Sequence, residues 1–194
     1  MLRASGWGSG IRVNEEEATM AIDLRTRQQP LKDQYREDPD SARLVHSVHS
    51  LPVLDDPTRV RISNGPVTWE MAAHPMAGGP EGEACSGDVL LAALAGCQTI
   101  TIQMVAASMG VILDDLRVTV TGEMDFRGTM GIDRAVPVGY TQLHCDIAIQ
   151  ATGDPDRLRR LVERAEQFCV VRQTLVGGVP LRCEIRINDP VAST

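Results

Sequence analysis

Aromatic residues are almost absent: two Trp, two Tyr and two Phe in 194 residues. That is too few for a platform on which bases could stack. An excess of positive charge is also missing. The formal charge is -7 and the isoelectric point about 5.1, which argues against a nucleic-acid partner needing a basic face. Arg157, Arg159 and Arg160 do cluster, but Glu163 and Glu166 interleave with them, as on an ordinary solvated helix face. The chain has no CxxC pair, no Walker loop, no GxGxxG and no GxSxG. The Gly-rich "AGGPEGE" lacks the Lys and Ser/Thr that would hold phosphate. His46 and His49 fall on opposite faces of a strand, and His74 and His144 have no Cys or acidic neighbour at ligand spacing. No metal and no cofactor are therefore expected.

The opening residues lack the apolar core of a signal peptide, so the chain is expected to stay in the reducing cytoplasm. Residues 1–29 are expected to be a disordered extension or a wrongly assigned start, with Met20 as the true first residue, and residues 30–190 a single domain. The uncharged run from Val89 to Met109 is long enough to cross a bilayer. However, Gln98, Thr99, Thr101, Gln103 and Ser108 dilute it, and no aromatic or cationic flank anchors it. A core helix, covered on every side by the sheet and a partner, is expected instead of a membrane span.

Short alternating runs separated by "DDP" and "NGP" predict a three-stranded meander from Ala42, after a short helix over 30–42 stopped by Pro39. A Gly-rich loop then delivers the chain to the apolar helix, capped at Ser86 or Asp88 and closed by Gly110. Two alternating strands follow, around 115–126 and 141–152. Asp154 and Pro155 open an amphipathic helix with Leu158, Leu161, Val162, Ala165 and Phe168 inward. A short helical turn and a last strand, "VPLRCEIRIN", complete an α+β order of βββ-α-ββ-α-β.

Five cysteines remain to be sorted. Cys145 and Cys183 sit on the apolar side of alternating strands and read as buried small hydrophobes. Cys85 lies in the loop before the apolar helix, as an exposed thiol or a small covering residue. Cys97 lies on that helix, and burial alone would raise its pKa and make it inert. Cys169 stands where a helix begins, a position that lowers a thiol's pKa. Spacing alone pairs none of them.

"CSGDVLLAALAGC" and "FCVVRQTLVGGVPLRCEIRI", with the αββα interval between them, resemble the OsmC/Ohr family of thiol-dependent peroxidases from about Ala42 to Ile187. The resemblance implies a swapped homodimer, with sheets from both chains wrapped around paired central helices. It implies Cys97 as peroxidatic thiol and Cys169 as resolving thiol. Peroxide attack would give a Cys97 sulfenate that condenses to a Cys97–Cys169 disulfide, reset by an external dithiol such as a lipoylated protein. The family also uses an Arg to hold the thiolate and a Glu to orient it. The Glu position falls on Gly87, so Asp88 is the expected substitute, with Arg59 rather than Arg61 as the cation. The family's Cys-Pro is Cys169-Val170 here. A dimer that has lost catalysis and binds a small hydrophobic or thiol ligand is the alternative.

Overall fold

The computed structural model describes residues 23–187, and the chain divides after Leu44 into two units. In the first, helix α1 spans Leu24–Glu37. Asp23 caps it by accepting from the Thr26 amide at 3.1 Å, and Asp38 with Pro39 turns the chain into a single 3-10 turn, Pro39–Ala42. Residues 24–29 of the expected extension are thus helical. Met20 lies outside the described residues.

The second unit opens with the antiparallel meander β1 (His49–Val53), β2 (Asp56–Ser63) and β3 (Thr68–Ala72). The first strand is shorter than its apolar run suggests, and Leu44, Val45 and Val48 stand exposed before it. The loop after β3 returns to pair with that strand: the Ala72 amide donates to Ala84, and Cys85 forms a parallel bridge with Ala72. Helix α2 (Ser86–Met109) starts there. Its N-cap is Cys85, not Ser86 or Asp88. Asp88 sits three residues on and closes a capping box, its carboxylate accepting from the Cys85 amide at 2.9 Å while Cys85 Sγ accepts from the Asp88 amide at 3.4 Å. Gly110, at φ 62°, ends the helix in the left-handed region.

β4 (Leu113–Met124) and β5 (Tyr140–Ala151) form a long antiparallel ribbon, joined through a loop that holds the one-turn helix α3 (Phe126–Thr129). Their period of two sends Leu116, Val118, Ile147 and Ile149 toward one core, made by Ile102, Val105 and Ala106 of α2 with Leu161 and Ala165 of α4 (Pro155–Phe168). Asp154 caps α4 and Pro155 occupies its first turn, as expected. The inward stripe of α4 runs Leu161, Ala165, Cys169 at intervals of four. Phe168, one residue off that line, is exposed, contrary to expectation. Helix α5 (Val170–Gly177) follows at once.

One expectation fails at the surface. Val179–Ile187 forms no strand, because no edge of the chain's own sheets pairs with it. Cys183 is therefore exposed rather than buried, and Leu181 and Ile185 stand 87% and 83% exposed. Within the single chain, β4, α4 and α5 pack on one face of α2, while Leu90, Ile100 and Met104 open onto solvent along the other. By length and composition α2 could cross a bilayer, yet its buried face is the centre of the core.

Leu161 is fully buried in that centre. Leu161→Ala should lower the unfolding free energy by about 2–5 kcal/mol in denaturant titration. Val170→Ala, at an exposed site, should change it by less than about 0.5 kcal/mol.

Candidate functional site

Two cysteines, placed 72 positions apart in sequence (169 minus 97), meet where α4 turns into α5. Cys169 is at once the C-cap of α4 and the N-cap of α5, with extended backbone (φ -74°, ψ 104°) and no exposed surface. Its Sγ accepts from the Arg172 amide at 3.5 Å. The amides of Val170 and Val171, in the first turn of α5, have no partner within the helix. They point instead at the half-buried sulfur of Cys97 on α2. The Cys169 thiol and the Thr101 side chain lie beside the same sulfur, the Thr101 hydroxyl donating to the Cys97 carbonyl.

These contacts divide the two thiols. Burial pushes the Cys97 pKa up, but the Val171 amide, the Cys169 thiol, the Thr101 hydroxyl and the Val170 amide together outweigh it and hold the thiol below its ordinary value. Burial also pushes Cys169 up, and there it prevails, with the Cys97 charge adding to it against the Arg172 and Val171 amides. The shifts are opposite in sign, so of the two thiols Cys97 is the readier to ionise. The sequence placed the helix-start effect on Cys169 itself. The structure corrects this: the first turn of α5 serves the cysteine across from it. Within the chain, the groups that lower the Cys97 pKa are neutral donors and dipoles.

The expected cation and its acid are elsewhere. Arg59 lies with Nε 3.0 Å from Asp56 and Nη2 2.5 Å from Glu83. Asp88 does not hold it, because its carboxylate is committed to the Cys85 cap. The acid that orients Arg59 is Glu83, brought alongside β2 by the Ala72–Cys85 bridge, a return of the loop that no local pattern announces. Arg61, two residues on and on the same face of β2, pairs instead with its cross-strand neighbour Glu70 at 2.9 Å. At Gly87, where the resemblance puts a glutamate, a Cβ would come within 2.6 Å of the Tyr140 hydroxyl, so that phenol occupies the space. Burial, and then the charges of Cys85 and Asp88, push the Tyr140 pKa up.

Two more residues escaped the sequence reading. Gln98 counted only as dilution of an apolar run, yet it is 1% exposed, and its Oε1 meets no donor among the described residues. Thr101 was counted the same way and proves to face the Cys97 sulfur. Cys145 is half-buried on β5, and burial pushes its thiol up. Among the described residues no three His, Cys, Asp or Glu side chains gather as metal ligands.

The opposite shifts fix a pH signature. Cys97 favours the folded state above the unfolded thiol pKa and loses that contribution as pH falls through its lower folded value. Cys169, shifted upward, favours the folded state below the unfolded pKa and loses that as pH rises through its own. Site-resolved alkylation against pH should give Cys97 a lower midpoint than Cys169 or Cys145. The reverse order would contradict the assignment.

The family model described as OsmC-like protein matches residues 79–184. No curated protein matches the sequence. Among solved structures, the fold is similar to an OsmC-like protein of Mycoplasma pneumoniae (TM-score 0.57, 16% identity, covering 70% of this chain and 89% of that one). It is also similar to organic hydroperoxide resistance proteins of Legionella pneumophila (0.51, 19%, 70% and 92%) and Elizabethkingia anophelis (0.51, 16%, 71% and 91%). With an α+β architecture of this kind and a family match over more than half its length, the chain belongs to the OsmC-like protein family.

Proposed function

We propose that the protein is a two-cysteine peroxidase that reduces hydroperoxides as a defence against oxidative stress. The observation that carries this reading is the meeting of two cysteines, with the Cys97 pKa held down by the α5 amides and the Cys169 thiol beside it pushed up by burial. The thiolate attacks the outer oxygen of R–O–OH, the O–O bond breaks, and the alkoxide leaves as alcohol after taking a proton. Cys97 becomes a sulfenic acid. Cys169 then attacks its sulfur, releasing water and forming the Cys97–Cys169 disulfide. An external dithiol, of the kind a lipoylated protein carries, returns both to thiols. A reducing, cytoplasmic setting suits this cycle, because structural disulfides are not needed there. The names of two structural relatives, organic hydroperoxide resistance proteins, favour the same substrate class.

The working unit in this reading is a homodimer. The open apolar face of α2 and the unpaired alternating segment Val179–Ile187 are surfaces that a second copy would cover. Light scattering at micromolar concentration should return twice the chain mass, and a monomer would contradict this.

A second reading, a non-catalytic dimer that binds a small hydrophobic or thiol ligand, draws on Gly87 in place of the family's glutamate and on Arg59 being held by Asp56 and Glu83. Turnover separates the two. With cumene hydroperoxide and a dithiol, the wild type should consume peroxide, Cys97→Ser should abolish consumption, and Cys169→Ser should stop at a dimedone-trappable sulfenic acid on Cys97. Undiminished consumption by Cys97→Ser would reject the peroxidase.

A further inference from the structure

Thr101 stands one helical turn after Cys97, and side chains at i and i+4 meet on the same face of a helix. Its hydroxyl donates to the Cys97 carbonyl at 2.7 Å and also faces the Cys97 sulfur. A threonine hydroxyl carries one proton and can serve only one of these acceptors at a time. Inside a helix the Cys97 carbonyl also receives the backbone amide of Thr101, so it loses little when the hydroxyl turns away. The β-branched side chain is stiff about its first torsion, which leaves rotation of the O–H as the easy motion.

We propose that Thr101 is a switching donor for Cys97, bonding the carbonyl oxygen while the thiol is protonated and turning to the sulfur when the thiolate forms. It stands one turn from the reacting atom on the same helix face, and once turned it would lower the cost of ionisation without a cation. Thr99 supplies an internal control. Its hydroxyl makes the same bond to the Ala95 carbonyl at 2.9 Å, with no thiol at that position. Loss of the Thr99 hydroxyl should therefore cost the helix what loss of the Thr101 hydroxyl costs it, and nothing at the sulfur. The proposal deepens the peroxidase reading at the same site, yet needs only that Cys97 ionises.

The test is the pH dependence of Cys97 carbamidomethylation by iodoacetamide in the full-length protein, resolved by mass spectrometry. In Thr101→Val the midpoint should move upward. The rate at a fixed pH below the midpoint should fall roughly three- to tenfold, as expected for losing part of a hydrogen bond to a charged group, while the plateau at high pH stays the same. Thr101→Ser should restore the wild-type profile, and Thr99→Val should match it. A Thr101→Val profile that superimposes on the wild type overturns the proposal, as does a Thr101→Ser profile displaced as far as that of Val. If Thr101→Val does not fold, Thr101→Ala is read by the same criteria. Peroxide turnover is scored separately. A shifted midpoint without wild-type turnover rejects the peroxidase and keeps the switch, whereas turnover with coincident profiles does the reverse.

Discussion

The first turn of α5, aimed at the Cys97 sulfur, is the interaction on which the site depends. It holds only if α4 delivers its last residue to the right level of α2, and packing does this. Leu161 and Ala165 lie against Ile102, Val105 and Ala106, and the next residue of that stripe, four positions on, is Cys169. The thiol pair is therefore the end of a hydrophobic stripe. Burying Leu161 alone is worth about 1.5–3 kcal/mol, so the core that stabilises the unit also sets the geometry of its chemistry. Because Cys169 is both the end of α4 and the cap of α5, the chain bends there. The free amides of the new helix fall on the neighbouring sulfur instead of on water.

Apolar surroundings and ionised sulfur make opposite demands. Burial alone would leave Cys97 protonated and slow, and it is the largest single influence on the group. Several neutral donors together overcome it without bringing a charge into the core. Arg59 is meanwhile paired with Asp56 on its own strand and with Glu83 in the loop before α2. The site within one chain is thus a thiol whose ionisation is eased by dipoles, with a second thiol of raised pKa against it.

Much of this architecture was legible in the sequence. Strict alternation marked β4 and β5, the Asp154-Pro155 start marked α4, and Gly110 marked the end of α2. What depended on tertiary neighbours was not. The alternating 179–187 segment has the pattern of a strand, but a strand also needs an edge to pair with, and the sequence says nothing about edges. Cys169 was visible as a helix start, while the recipient of that helix's amides is set by how α4 lies on α2. Asp88 was read as a partner for Arg59 because it stood next to Gly87. Its real partner is the Cys85 amide three residues back, and the acid on Arg59 is Glu83, reached only through the loop's return to β3.

Peptide mapping of the protein after one equivalent of organic hydroperoxide, under non-reducing denaturing conditions, tests the central claim most directly. A Cys97 that ionises more readily than the Cys169 beside it in the same chain predicts one dominant product, an intrachain disulfide joining the peptides that contain those two residues. A product linking two chains, or one that draws first on Cys85 or Cys183, would contradict the account.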